Sequence, residues 1–223
     1  MGVEDSFLKS ITYFSGLSPV ELDSVKKLVF EKRVERGEII VFEGDLPEAL
    51  YFVGDGVVKI FRTSADGKEQ VLNIVRPGDS FNDVPAFDGG PNLASAQAMG
   101  TVTLYGIPKQ SLDAFLRDYP QTAVSVAKVL ATQVRHLVLL VEDLSFRPVV
   151  SRVAKVLLEY AGDGAGPGQR LTQQDMADMV GTAREVVSRS LKALQSEGVI
   201  KIDRHRIVVT DKEALRSIAG VST

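Results

Sequence analysis

Near residue 108 the hydrophobic pattern changes period, and that change constrains the fold more than any other feature of the chain. From about 33 to 108, apolar side chains alternate or cluster in short runs at 38–42, 49–53, 57–62, 71–75, 93–99 and 102–107. Turn signals separate the runs, among them Arg36-Gly37, Asp55-Gly56, Asp66-Gly67 and Pro77-Gly78-Asp79. Short apolar runs between glycine turns read as strands, and many of them at this spacing suggest a sandwich or barrel-like roll. From about 109 to 145 there is no interior glycine, and proline occurs only at 120. Two apolar seams then run side by side: Ala127, Ala131, Val134, Val138, Val141 and Ser145, and Val126, Leu130, Gln133, Leu137, Leu140 and Leu144. A helix apolar over more than one face is not satisfied by one packing partner. One seam can cover the roll. The other needs a second surface, most simply the same helix of a second copy.

The ends of this core are also legible. Ser18-Pro19-Val20-Glu21 has the serine, proline and glutamate of a helix start, so the chain opens on short helices. Phe146-Arg147-Pro148 breaks the long helix, because a proline disfavours helical geometry in the residue before it. Helical spacing resumes at Val149, Val153, Val156, Leu157 and Tyr160, and the glycines of 162–168 read as a flexible loop. The expected division is 1–120 for the roll with its N-terminal helices, 121–145 for the long helix and 146–223 for a C-terminal domain.

Composition narrows the chemistry. The chain has no cysteine and two histidines, His136 and His205. Disulfides, thiol catalysis, iron–sulfur clusters and multi-histidine metal centres are therefore not expected. No Ser/His/Asp set and no P-loop ending appears, so an enzyme is not expected. MGVEDSFLKS carries acids where a signal peptide carries bases, and no unbroken apolar run of about 18 residues suggests a membrane span. The net charge is −3, unevenly spread. Residues 1–120 carry net −6, whereas 182–206 hold six basic side chains against three acidic. A positive end on an acidic body suggests a partner that only one end touches.

Residues 171–196 hold the most specific pattern. Thr172 is positioned to cap a short helix to about Val180, with Ala177 inward. Gly181 supplies a turn, and Thr182 is expected to cap a second helix to about Ser196. Val186, Val187, Leu191 and Leu194 form its apolar face, and a basic hairpin follows over 201–209. A helix, a glycine turn, a second helix and a basic hairpin make a winged helix–turn–helix. Arg184, Glu185, Ser188 and Arg189 lie at the start of the second helix, with 185, 188 and 189 on one face. Arginine can reach guanine O6 and N7 together, and glutamate can accept from cytosine N4. Thr172, Thr182, Arg184, Glu185, Ser188, Arg189, Lys192 and Arg204 are the candidate DNA contacts. The alternative is that Glu185 and Arg189 form an i,i+4 pair on a solvated helix.

These motifs carry a family resemblance. Arg-Gly-Glu-Ile-Ile-Val-Phe-Glu-Gly-Asp (36–45), Ala-Leu-Tyr-Phe-Val (49–53), Asp-Gly-Lys-Glu-Gln (66–70) and Pro-Gly-Asp-Ser-Phe (77–81) resemble the β-roll of cyclic-AMP receptor / fumarate-nitrate regulator (CRP/FNR) proteins. Arg-Glu-Val-Val-Ser-Arg (184–189) is similar to their recognition helix. The resemblance implies an α+β chain: a cyclic-nucleotide-binding-like β-roll, or double-stranded β-helix, then a dimerisation helix and a winged helix–turn–helix. It implies a homodimeric, cytoplasmic bacterial transcription regulator that binds double-stranded DNA and works with RNA polymerase, as activator or repressor. The runner-up is an effector-binding module that signals through protein contacts instead of DNA.

The sensing residues depart from the family's pattern. Members that bind cyclic AMP carry Gly-Glu for the ribose and Arg-Ser for the phosphate. Here the matching positions are Asn82-Asp83 and Leu93-Ala94. An anion buried without a cation is costly, so cyclic AMP is not the expected effector. The adenine-contacting pair aligns with Leu137-Val138. The expected small-molecule pocket is apolar, lined by Phe81, Asn82, Asp83, Val84, Leu93, Leu137 and Val138; the alternative is a filled core. Haem also stays open, but His136 fits a polar helix face better than an axial ligand.

Overall fold

The structure, a computed structural model, describes residues 3–161, 171–203 and 206–221. The chain divides into two compact units. One comprises the chain up to Arg62 and Leu72–Leu137; the other comprises Thr63–Val71 and everything from Val138 onward.

The first unit opens on α1 (Asp5–Ser10), a 3-10 turn at Thr12–Phe14 and α2 (Pro19–Lys26). The expected cap of α2 is present in full: Ser18 Oγ accepts from Glu21 N, and the Glu21 carboxylate accepts from Ser18 N at 2.7 Å. Eight strands follow: β1 (Phe30–Val34), β2 (Ile39–Val41), β3 (Ala49–Asp55), β4 (Val58–Thr63), β5 (Glu69–Val75), β6 (Ser80–Phe81), β7 (Ser95–Ala98) and β8 (Val102–Pro108). They form two four-stranded sheets, ordered β1-β8-β3-β6 and β2-β7-β4-β5. The six expected strands are all there. Two were not expected. β1, Phe-Glu-Lys-Arg-Val, is largely exposed and shows no alternation, and β6 is only two residues long.

Alternation explains the roll's core. Tyr51, Val53, Val58, Phe81, Ala96, Val102 and Leu104 bury their side chains in one cluster. The opposite faces of β3 and β8 send Leu50, Phe52 and Ile107 into a second cluster with Leu8, Phe14, Leu22 and Phe115 from the helices. Each large apolar side chain so buried contributes roughly 1.5–3 kcal/mol. The Phe30–Gly106 pair sets the edge of the first sheet: a Cβ at 106 would lie 2.2 Å from the Phe30 ring, so only glycine admits that ring.

Between β6 and β7 lies α3 (Asp83–Asp88), and after β8 comes α4 (Lys109–Asp118). Tyr119-Pro120 separates α4 from α5 (Thr122–Phe146), the 25-residue helix that the seams foretold. The seam at 126, 130, 133, 140 and 144 is half-buried, with Leu137 more open. Every member of the other seam, at 127, 131, 134, 138, 141 and 145, is exposed. Val134, Val138 and Val141 each leave about 60% of their surface uncovered (59%, 60% and 61%). One expectation needs correction here. α5 is long and apolar enough to cross a membrane by length and composition, with a mean hydropathy of 1.5 over 18 residues. Two adjacent seams raise the mean without producing an unbroken apolar run.

The second unit holds α6 (Val149–Ala161), α7 (Gln173–Val180), α8 (Arg184–Ser196), the hairpin β9 (Ile200–Asp203) with β10 (Arg206–Val209), and α9 (Lys212–Ala219). Val153, Ala154 and Leu157 of α6 pack with Met176, Ala177, Val187, Leu191, Leu194, Leu215 and Ala219 in one core. The glycine-rich loop expected at 162–168 lies outside the described residues.

Candidate nucleic-acid interface

The local sequence of 172–196 forms the two helices as expected, with one correction. Thr172 caps α7 in a reciprocal box: its Oγ1 accepts from Asp175 N at 3.1 Å, and its own N–H donates to Asp175 Oδ2 at 2.8 Å. The threonine hydroxyl is thus committed to the cap. Gly181 closes α7 at φ 66°, a left-handed turn that suits glycine. The cap of α8, however, is Ala183 and not Thr182. Thr182 N donates back to Ala177 O at 3.0 Å and is part of the turn. Alanine has no side-chain acceptor, so the first amides of α8 are left for solvent or an anion.

α8 is divided by its periodicity. Val187, Ser190, Leu191 and Leu194 face the core, with Val186 half-buried. Arg184, Glu185, Arg189 and Lys192 are exposed, and Ser188 is half-buried between them. The helix therefore presents its polar ridge outward on a rigid, well-packed base. Among the described residues, Glu185 and Arg189 form no ion pair with each other. The hairpin pairs Lys201 with Val208 and Ile202 with Ile207, and Lys201 is exposed. Arg204 lies outside the described residues.

The junction before this domain carries contacts that sequence reasoning missed. Asp143 accepts from Arg147 Nε at 2.8 Å and from Lys155 Nζ at 2.5 Å. Arg152 Nη1 donates to the carbonyls of Asp143 (3.2 Å), Leu144 (3.3 Å) and Arg147 (3.0 Å). Arg147 Nη1 donates to Ala219 O at 2.5 Å. Three cations thus gather at the C-terminus of α5, where orphan carbonyls and the helix dipole favour them. The break at Phe146-Arg147-Pro148 is a hydrogen-bonded corner. The i,i+4 pair of Asp143 and Arg147 was its one local signal.

The expected effector residues differ in burial and partners. Phe81 is buried and stacked on Tyr51, with ring centroids 5.2 Å apart. Asn82 takes a left-handed conformation, φ 65°, and donates to Ala49 O at 3.1 Å. Leu93, Leu137 and Val138 are 57%, 45% and 60% exposed, and Val84 is half-buried. Asp83 is buried and already partnered. Its Oδ1 accepts from the Tyr13 hydroxyl and from Ser80 Oγ at 2.6 Å, and its Oδ2 accepts from Gln133 Nε2 at 2.8 Å. Burial and the neighbouring Asp83 carboxylate both push the Tyr13 phenol well above its ordinary range, so it stays a donor. Both carboxylate oxygens are used inside the protein. Tyr13→Phe should remove one of three donors to a buried carboxylate. We expect a loss of about 1.5–3 kcal/mol, read as a lower urea midpoint at unchanged slope; an unchanged midpoint would show that this hydrogen bond does not matter. His136 is exposed and its Nε2 lies 2.9 Å from Leu72 O, a polar surface contact. Among the described residues no group of three or more His, Cys, Asp or Glu could hold a metal.

Comparison with known proteins follows the same division. Residues 31–119 match the cyclic nucleotide-binding domain, and residues 151–218 match the Crp-like helix-turn-helix domain. The chain is 34% identical to the cyclic AMP receptor protein of Thermus thermophilus, over 95% of this chain and 98% of that one. It is 31% identical to a CRP-like cAMP-activated global transcriptional regulator of Mycobacterium tuberculosis, over 95% and 97%. Its fold is similar to that of FixK2 from Bradyrhizobium japonicum, with a TM-score of 0.74 and 25% identity, covering 87% of this chain and 99% of that one.

Proposed function

Since the chain belongs to the CRP/FNR family of transcription regulators, with a Crp-like helix-turn-helix domain at its C-terminal end, we propose that it works as a homodimer on palindromic promoter DNA. The observation that carries this reading is α8: Arg184, Glu185, Arg189 and Lys192 stand out on a helix whose other face is locked in a core. In this reading Arg189 and Glu185 read base edges, while Lys192, Thr182 and the uncapped amides of α8 meet phosphates. Thr172 contributes by holding α7 against its partner. Residues 1–120, 121–145 and 146–223 serve as effector, dimer and DNA parts. The exposed seam of α5 supports a second copy as its cover, and we read its hydropathy as an interface and not a membrane span. The protein then acts in the cytoplasm, alongside RNA polymerase.

The effector we propose is a small molecule other than cyclic AMP, although two relatives are named for that nucleotide. Leu93-Ala94 supplies no cation for a cyclic phosphate, and Asp83 already accepts three hydrogen bonds from within the protein. The test is fluorescence anisotropy with duplexes carrying paired TGTGA or TTGAT half-sites about 10 base pairs apart. Binding should weaken steeply and log-linearly with salt, as phosphate contacts require, and cyclic AMP should leave it unchanged. Failure to bind any duplex, with retained contacts to other proteins, would favour a protein-docking module instead.

A further inference from the structure

The half-buried seam of α5 is apolar at Val126, Leu130, Leu137, Leu140 and Leu144, and polar at one position, Gln133. That position meets the carboxylate of Asp83, which is only 3% exposed: Gln133 Nε2 donates to Asp83 Oδ2 at 2.8 Å. The acceptor is fixed in place. Asp83 Oδ1 accepts from Ser80 Oγ at 2.6 Å and from the Tyr13 hydroxyl. The Tyr13 ring is itself held edge-on by Phe52, with centroids 5.6 Å apart, and stacked on Phe87 at 6.1 Å. Asp83 and Gln133 lie in the same compact unit. The outer seam offers no such group. Ala127, Ala131, Val134, Val138 and Val141 are all apolar, and Ser145 stands about three turns beyond Gln133.

We propose that Gln133 is the positioning residue that selects which seam of α5 covers the roll and which is left for a second copy. The inference rests on the dimer reading above. Two apolar seams side by side on one helix are nearly equivalent, because hydrophobic burial is non-directional. Apolar contacts alone do not distinguish a helix that seats one seam from a helix turned to seat the other. A polar side chain in the interface does, just as a single polar residue at a seam position fixes register in a coiled coil. Consecutive residues lie about 100° apart around a helix, so turning α5 by one residue sets Val134 against Asp83. Sliding it by one turn sets Leu130 or Leu137 there. Each of these seats leaves a buried carboxylate short of a donor, which is costly. The seat that keeps the hydrogen bond is the one that turns Val134, Val138 and Val141 outward.

Because the chain has no cysteine, single cysteines report which seam meets the partner. In the full-length protein, Ala131→Cys, Val134→Cys or Val138→Cys should form an interchain disulfide on copper–phenanthroline oxidation at least about tenfold faster than Leu130→Cys or Leu140→Cys. Gln133→Leu makes the inner seam wholly apolar, and the same five cysteines should then lose most of that preference. Gln133→Glu, which sets one carboxylate against another, should lose it as well. In Asp83→Asn/Gln133→Glu the new amide donates to the new carboxylate, and the preference should return, which a loss of packing alone would not give. A preference unchanged in Gln133→Leu and Gln133→Glu overturns the proposal, and so does a loss that Asp83→Asn fails to rescue. If the wild type is a monomer by light scattering, or the outer-seam cysteines do not cross-link, the dimer reading falls and the selection of a seam falls with it.

Discussion

Val134→Asp/Val138→Asp is expected to turn a dimer into a monomer. The two valines sit one turn apart on the seam of α5 that its own chain leaves uncovered, at 59% and 60% exposure. In a paired helix the new carboxylates would lie against each other in a dry interface, where unpaired charges cost several kcal/mol each. In a single chain they would simply face water, so folding should survive. Gel filtration with light scattering should show half the wild-type mass. Affinity for a two-half-site duplex should fall about 10²- to 10⁴-fold, because joint engagement of linked sites is lost. Leu139→Asp is the control. It replaces a side chain 54% exposed that lies on neither seam, and the mass should hold. A double variant that elutes as a wild-type dimer would remove α5 from the interface.

Arg189→Ala should have the second large effect, and on a different quantity. Arg189 is exposed on the ridge of α8, one turn beyond Glu185, and among the described residues it makes no ion pair that would hold it elsewhere. A bidentate contact to guanine is worth about 1–3 kcal/mol. Two half-sites per dimer make the expected loss about 2–6 kcal/mol, roughly 30-fold to more than 10⁴-fold in affinity. The decisive readout is the pattern across duplexes in which each base pair is changed in turn. Loss of preference at one G·C pair per half-site marks base reading. Uniform weakening with a shallower salt dependence marks a phosphate contact. Lys192→Ala, further along the helix, should give the second pattern.

Both predictions start from features that were visible in the sequence, and the reason is physical. Alternation, helical spacing, caps and glycine turns act over a few residues. The six expected strands, the capping box of Ser18, the cap of Thr172, the break before Pro148 and the buried and exposed faces of α8 could therefore be read from neighbours alone. The two seams of α5 were equally plain, and their separation into a half-buried and an exposed line follows from the 3.6-residue repeat. Where local signals are weak, the reading failed. β1 is an edge strand of mostly exposed side chains, chosen by its pairing with β8 some 70 residues away. The start of α8 fell one residue later than the threonine suggested, because the turn uses Thr182 N to reach Ala177.

What only the tertiary structure decided are the contacts between distant segments. Asp83 is held by Tyr13, 70 positions before it, and by Gln133, 50 positions after it. Asp143, Arg147, Arg152 and Lys155 become a corner only when α6 folds back on the end of α5. Gln70 reaches Met179 across 109 positions. Hydrogen bonds and ion pairs of this kind leave no periodic trace, because one polar side chain looks like another until the chain brings its partner to within about 3 Å. The sequence by itself thus determined most of the elements and their faces, the two seams of α5 included. The tertiary structure decided which polar groups are spent inside the protein and which stay exposed to solvent.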